Sequence, residues 1–159
     1  MWKERLKKVK IIVTIVLILG VAIYLIMVYD AASSISIVDK RIESIYPSKI
    51  DEYDVKFSLT LKNPKNFDIE IDYISYNIYV ENEFVGKGIK PHFYIESGTK
   101  KYDFEATFSV NSLSEATKNL LIKGGANIKI KGVVMIPAKF LGLFTWKHIK
   151  IPYEINKQI

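Results

Sequence analysis

The stretch IIVTIVLILGVAIYLIMVY, residues 11–29, holds 19 consecutive residues without a charged side chain. As an α-helix, with a rise of ~1.5 Å per residue, it would be about 29 Å long, close to the ~30 Å thickness of the hydrocarbon layer of a bilayer. A helix buried in a soluble domain would keep a polar stripe on one side, and this stretch has none. The sequence therefore predicts one transmembrane helix over residues 11–29.

The charges on either side of this stretch predict its orientation. Residues 1–10 carry five Lys or Arg residues and one Glu, whereas the first basic residue after the stretch is Lys40. An excess of Lys and Arg stays on the cytoplasmic side of a membrane. We therefore predict a single-pass protein of the cell membrane with a cytoplasmic tail (1–10), a short linker (30–34) and an extracytoplasmic domain (35–159).

A cleavable signal peptide is the alternative interpretation of the N-terminal segment. Ala31-Ala32-Ser33 offers small residues at which a signal peptidase could cleave. The apolar cores of signal peptides are shorter, at roughly 7–15 residues. The length of the apolar stretch therefore favours an uncleaved anchor.

The composition limits what the domain after the linker can be. The chain has 159 residues, which leaves enough after residue 34 for one domain with a sizeable core. It has no cysteine, so an extracytoplasmic domain would be stable through packing alone, without disulfides. The net charge is +6 and residues 1–10 supply most of it, so the charge balance gives no argument for nucleic-acid binding.

Alternating apolar and polar residues predict about seven antiparallel strands in this domain. The alternation is cleanest in residues 55–62 and 104–110. Breaks in the pattern predict a bulge in the first strand and another near Tyr73. The predicted strands cover about residues 35–47, 55–62, 69–80, 84–95, 104–110, 128–136 and 149–155.

One helix is predicted outside the membrane, between the fifth and sixth strands. Ser112-Leu113-Ser114-Glu115 has the spacing of a capping box, and Gly124-Gly125 ends the helical pattern. Seven strands with polar outer faces bury their apolar faces best as two sheets packed face to face. The predicted fold class is therefore all-β with one short helix: a fibronectin- or immunoglobulin-like β-sandwich.

Short motifs follow one another in a set order along the domain. Asn63-Pro64 follows the second strand, Ser97-Gly98-Thr99 lies in mid-domain, and Gly132 lies in the sixth strand. Their order and spacing resemble the WHy domain (water stress and hypersensitive response) of type-2 late embryogenesis abundant proteins, over residues 36–156. The resemblance implies a fibronectin-like sandwich with one helix, a role in desiccation or other stress protection, and no catalytic residue. That family typically has Asn-Pro-Asn, and Lys65 stands here in place of the second Asn.

Few residues could support catalysis or bind a metal or a cofactor. The chain has two histidines, His92 and His148, and no G-x-S-x-G nucleophile turn. Gly86-Lys87-Gly88 lacks the strand-to-helix context of a nucleotide-binding loop. A calcium site would take ligands at closer quarters and from several loops. The favoured interpretation of three alternating carboxylates is therefore structural: a solvated face paired with lysines across a strand, or an edge strand charged against aggregation. The three carboxylates belong to Asp68, Glu70 and Asp72. We predict no catalytic residue, metal or cofactor.

The segment KFLGLFTWK, residues 139–147, is the most unusual loop. Its aromatic residues could fold back over the open end of the sandwich as part of the core, or they could form a tip that contacts a membrane or a partner. Counting strands outward from the membrane places this loop at the membrane-proximal end, together with residues 62–67 and 97–101. The predicted contacts with anionic headgroups are Lys62, Lys65, Lys100, Lys101, Lys139, Phe140, Leu143, Phe144, Trp146 and Lys147.

The predicted function is non-catalytic. A membrane-anchored sandwich would bind or shield proteins or the envelope surface, in line with the stress protection that the resemblance implies. Its partners would be the membrane and an unidentified client or surface protein, with no nucleic acid and no small-molecule substrate. An accessory or adhesion subunit of a cell-surface complex is the alternative, and an envelope hydrolase is disfavoured because the nucleophile turn is missing.

Overall fold

A long N-terminal helix precedes seven antiparallel strands and one short helix in this computed structural model, which describes residues 1–159. The elements are α1 (Trp2–Ser33), β1 (Ser36–Lys49), β2 (Glu52–Asn63), β3 (Ile69–Val80), β4 (Glu83–Ile95), β5 (Gly98–Ser109), α2 (Glu115–Lys123), β6 (Asn127–Phe140) and β7 (Phe144–Gln158). The strands form one sheet in the order β1-β2-β5 and another in the order β4-β3-β6-β7. The predicted all-β sandwich with one short helix is confirmed.

The core lies between the two sheets and is centred on Phe57 of β2. Its ring stacks on Phe104 of β5, with the ring centroids 5.0 Å apart. It also meets Tyr76 of the opposite sheet edge-on, with the centroids 5.3 Å apart. Leu59 and Phe108, on the same faces of their strands, are buried too. The period of two in β2 and β5 therefore identified the inward-facing side chains correctly.

Irregularities in the strands agree only in part with the broken apolar patterns. β1 has register shifts against β2 at three places, as its interrupted pattern suggested. In β3 the buried positions change phase between Ile71 and Ile74. No register shift is found there, and the shift lies instead where Ile78 pairs with Gly86 and Tyr79 with Phe84. The predicted bulge near Tyr73 is thus wrong in position.

Gly132 in β6 is required because two neighbours occupy the space of a side chain. A Cβ atom at this position would lie 1.9 Å from the carbonyl oxygen of Ser75 and 2.5 Å from the hydroxyl of Tyr153. That hydroxyl donates a hydrogen bond to the Ser75 carbonyl over 2.7 Å. Burial raises the pKa of Tyr153 well above its ordinary value, so the hydroxyl stays a donor. This contact accounts for a glycine in the penultimate strand.

The predicted helix is present, but its cap differs from the predicted one. The N-cap is Ser114, whose Oγ accepts a hydrogen bond from the Thr117 amide over 3.3 Å. Glu83, the first residue of β4, accepts hydrogen bonds from the Ser114 amide over 3.0 Å and from its hydroxyl over 3.1 Å. The predicted box of Ser112 and Glu115 is therefore wrong, because the carboxylate comes from a distant hairpin.

This cap predicts a specific pH dependence of stability. Hydrogen bonds from the Thr117 hydroxyl and the Ser114 amide hold the pKa of Glu83 below its ordinary value. A carboxyl whose pKa is lowered by folding stabilises the fold above its unfolded pKa, and that contribution is lost as the pH falls through the folded value. We expect wild type to resist urea better than Glu83→Gln at neutral pH, and the difference to shrink on acidification. A difference that is the same at every pH would contradict the assigned role.

The helix α1 and the sandwich are joined without a free linker. The helix continues to Ser33, and β1 begins at Ser36. Ala32 is 3% exposed and Ile35 is 4% exposed, and both belong to the core of the sandwich. The predicted linker over residues 30–34 is therefore mostly helical. It keeps the helical conformation because its apolar side chains dock under the sandwich.

Candidate membrane-facing end of the sandwich

Three loops lie together at the end of the sandwich where α1 joins it. The β2–β3 loop and the β4–β5 turn are adjacent, because Asn63 pairs with Gly98 and Ile69 pairs with Ile95. The Ser97 hydroxyl donates a hydrogen bond to the Lys65 carbonyl between them. The β6–β7 hairpin reaches α1 at the same end, as its contacts below show. These are the three loops that strand counting grouped at the membrane-proximal end.

Asn63 holds the β2–β3 loop in place. Its side chain is fully buried. The Nδ2 atom donates to the carbonyl oxygens of Phe67 over 2.8 Å and Ile95 over 3.1 Å. The Oδ1 atom accepts from the Lys65 amide over 3.0 Å. One amide side chain thus ties its own loop to the end of β4, which explains the asparagine of the Asn-Pro motif.

The tip of the β6–β7 hairpin contacts α1 at Tyr24. The rings of Tyr24 and Phe140 meet edge-on with their centroids 5.8 Å apart. The amide of Leu141 donates a hydrogen bond to the Tyr24 hydroxyl over 3.1 Å. Tyr24 lies six residues before Asp30, which corresponds to about 9 Å along the helix axis. The hairpin therefore extends alongside the second half of the apolar stretch of α1.

The base of the same hairpin contacts α1 at Tyr29. The ring centroids of Tyr29 and Trp146 are 6.4 Å apart. The Lys147 ammonium lies 4.9 Å from the centroid of the Tyr29 ring, which is a cation–π distance. An ion pair of 2.6 Å between Lys65 and Asp30 joins the β2–β3 loop to the helix nearby. Helix and sandwich are thus connected at several points.

The aromatic and aliphatic residues of the hairpin tip do not enter the core. Leu141 is 60% exposed, Leu143 is 78% exposed and Phe144 is 57% exposed. Of the two interpretations of this segment, packing over the open end of the sandwich is therefore wrong. The hairpin instead presents an uncharged, apolar surface beside α1.

Most of the six lysines predicted for this surface have partners within the chain. Four of them pair with carboxylates, so their charge is partly compensated. The pairs are Lys65 with Asp30, Lys100 with Glu96, Lys101 with Glu43 and Asp103, and Lys139 with Glu70. Lys147 lies over Tyr29, and Lys62 makes no ion pair. The uncompensated positive charge of this surface is therefore smaller than the sequence suggested, and apolar side chains make up more of its character.

The comparison with known proteins identifies the family. A family model described as late embryogenesis abundant protein, LEA_2, matches residues 58–156. The chain belongs to the LEA_2 family. No curated protein matches the sequence itself. Membership in LEA_2, whose proteins are generally non-enzymatic, indicates a non-catalytic role related to stress or desiccation.

A solved structure with a TM-score above 0.5 shares the fold of this LEA_2 domain, and two further ones are similar to it at lower scores. A solution structure of an Arabidopsis thaliana protein is 16% identical, with 79% of each chain covered and a TM-score of 0.55. A crystal structure of an Archaeoglobus fulgidus protein is 12% identical and covers 78% of this chain and 99% of its own, with a TM-score of 0.49. A late embryogenesis abundant protein solved in solution is 21% identical, with 76% of this chain and 69% of that one covered and a TM-score of 0.46.

The carboxylates of β3 in this LEA_2 domain are paired with a lysine and two histidines from the other three strands of the same sheet. Glu70 accepts hydrogen bonds from Lys139 over 2.7 Å and from His92 over 2.6 Å. Burial favours the neutral form of Glu70, but these two hydrogen bonds outweigh it and hold its pKa below the ordinary value. His148 lies 3.5 Å from Asp72. This is the arrangement of a structural polar cluster, and it links both arms of the β6–β7 hairpin to β3.

Sequence reasoning missed the contacts that two tyrosines of α1, Tyr24 and Tyr29, make with the hairpin of the LEA_2 domain. Both lie in the predicted transmembrane stretch, for which no contact with the sandwich was predicted. A hydroxyl within a membrane span needs a hydrogen-bonding partner, and that requirement was the available signal for Tyr24. The partner itself, the amide of Leu141, lies 117 residues away and has no sequence signature.

Proposed function

We propose that this LEA_2 protein is a membrane-anchored WHy-domain protein whose sandwich stands on the outer face of the cell membrane. Its role is to bind or shield neighbouring proteins and the envelope surface under stress such as desiccation, without catalysis. The observation that carries the proposal is the apolar β6–β7 hairpin lying alongside the last turns of the apolar helix.

The exposure of α1 supports the anchor. The helix is long and apolar enough to cross a membrane, and none of its most apolar 18-residue window is buried. Such a surface exposed to water would be unfavourable at ~25 cal/mol per Å² of apolar area. A bilayer removes that cost, and the basic residues of the tail orient the helix with its N-terminus in the cytoplasm.

The position of the hairpin supports direct contact with the outer leaflet. With residues 11–29 spanning the hydrocarbon layer, Tyr24 lies within its outer part, about 9 Å below Asp30. Leu141, which bonds to Tyr24, then lies at the same depth. Trp146 and Tyr29 lie nearer the surface, where amphipathic aromatic rings are favoured. The hairpin thus forms a shallow second contact with the membrane beside the helix.

The topology can be tested with single-cysteine variants, because the chain has no cysteine of its own. Lys3→Cys places a thiol in the tail, and Asn111→Cys places one at an exposed position of the domain. In intact cells, a membrane-impermeant maleimide should label only Asn111→Cys, and both variants after permeabilisation. The reverse labelling would contradict the orientation. A mature protein that lacks residues 1–30 would contradict the anchor.

An accessory or adhesion subunit of a cell-surface complex is the second candidate, favoured by apolar residues at the end away from α1. Ile50, in the β1–β2 turn, is 92% exposed, and Ile122 of α2 is 74% exposed. A photo-crosslinking amino acid at position 50 should then form a defined adduct with one surface protein in intact cells. The same group at position 105, an exposed site on β5, should not. Adducts of equal yield at both positions would contradict this candidate.

A further inference from the structure

A groove of about 340 Å³ runs between α1 and the sandwich. The helix contributes positions that are three, four and seven residues apart, so a single face of the helix forms one wall. Most of the lining side chains are apolar or aromatic, among them Tyr24, Met27, Val28 and Ala31 on the helix, and Phe67 and Pro137 on the sandwich.

The groove is open, and its walls are mostly apolar. Met27 is 64% exposed and Phe67 is 51% exposed although both face this space. From Tyr24 to Ala31 the helix wall is about 10 Å long. If the sandwich stands on the membrane as proposed, this wall lies within the outer leaflet and its interface. The neighbouring medium is then lipid, and lipid chains are what can fill the space.

One side of the groove ends in a polar pair. Glu70 and Lys139 both line it, with their charged atoms 2.7 Å apart. Asp68 lines the groove as well, so the charged lining residues are two carboxylates and one lysine. They offer acceptors and a donor but no excess of positive charge, which suits the glycerol and headgroup region of a lipid without selecting an anionic one. The volume is near the lower limit of about 300 Å³ for ligand pockets. It therefore suits one lipid chain segment rather than a whole lipid.

From this geometry we infer that the groove holds one chain of an outer-leaflet membrane lipid, with the polar part of that lipid beside Lys139 and Glu70. The inference rests on the proposed membrane-standing orientation. The bound lipid chain fills the space between α1 and the sandwich. Phe67 and Pro137 then contact lipid instead of water.

The test uses the full-length protein in nanodiscs of phosphatidylcholine and phosphatidylglycerol. A phosphatidylcholine with a diazirine near the start of one chain serves as the probe, and photo-adducts are located by mass spectrometry. We expect adducts at Phe67 and Pro137. Met27→Trp should reduce them about tenfold, the change that ~1.4 kcal/mol of lost binding free energy gives. Ile26→Trp, at the adjacent exposed position outside the groove, should leave them unchanged.

Any other outcome contradicts the lipid-groove inference. One of these outcomes would contradict the inference and leave the proposed function standing. Adducts at Leu143 and Phe144 but not at Phe67 and Pro137 would exclude the lipid groove while leaving the membrane-standing sandwich intact. Absence of adducts at all four residues would contradict both proposals. Equal loss in both tryptophan variants, or crosslinks to another polypeptide at the groove, would mean that a lipid does not occupy it.

Discussion

Phe57→Ala should lower the free energy of unfolding by about 3–5 kcal/mol, the usual range for a fully buried phenylalanine. The ring is completely buried in the central strand of the three-stranded sheet. Its removal leaves a cavity between Phe104 and Tyr76, which contact it from both sheets. Rigid strands on either side cannot close that space, so the dispersion contacts are lost without replacement.

Urea unfolding of the full-length protein in detergent micelles, followed by the far-ultraviolet circular dichroism of the strands, measures this loss. Lys56→Ala is the matched control, because Lys56 is adjacent in β2 and exposed on the opposite face. It should change stability by no more than about 0.5 kcal/mol. Comparable losses at both positions would contradict the register of β2 and thus the sandwich core.

Asn63→Asp should also be severe, at about 3 kcal/mol or more, although the two side chains have nearly the same shape. The carboxylate cannot donate, so the carbonyl oxygens of Phe67 and Ile95 lose their partners. A buried charge without a donor to each oxygen adds to the cost. The same urea unfolding measures the loss. Asn66→Asp, an exposed change in the same loop, is the control and should be nearly neutral.

Loss of Asn63 should affect the membrane-facing end beyond stability. The β2–β3 loop carries Lys65, whose ion pair with Asp30 joins the sandwich to α1. Hydrogen exchange of the loop amides should therefore accelerate in Asn63→Asp even under conditions where the protein stays folded. Unchanged protection of residues 64–68 would show that the asparagine does not hold this loop.

Local sequence patterns were sufficient to predict the sandwich, because apolar and polar residues alternate in β2 and β5. They failed to predict contacts whose second residue is distant in the chain. The cap of α2 was placed too early because Ser112 and Glu115 have the right spacing, whereas the true carboxylate, Glu83, lies 31 residues before Ser114. The helical continuation through Ala32 was missed for the same reason, since burial under the sandwich stabilises it.

The candidate site was predictable in outline only. Counting antiparallel strands placed three loops at one end, and the structure groups them there. The charge of that end was overestimated, because the partners of Lys65, Lys101 and Lys139 come from other elements of the fold. The contact of the hairpin with Tyr24 depends on how the helix docks, which no local pattern records.

Depth-dependent quenching of a single tryptophan tests the central claim most directly. In a Trp2→Phe background, Trp146 is the only tryptophan. Adding both Leu143→Trp and Trp146→Phe to that background moves the single tryptophan to the hairpin tip. Phe84→Trp, in the same background without Trp146, places it at the opposite end of the sandwich. Each variant is reconstituted in vesicles of phosphatidylcholine and phosphatidylglycerol that contain spin-labelled lipid.

The account predicts blue-shifted emission and strong quenching at position 143, shallower quenching at 146, and neither at 84. The effect should change little with salt, because most lysines at this end are already paired. Emission at position 143 that resembles position 84, with no quenching by spin-labelled lipid, would contradict a sandwich that stands on the bilayer through its β6–β7 hairpin.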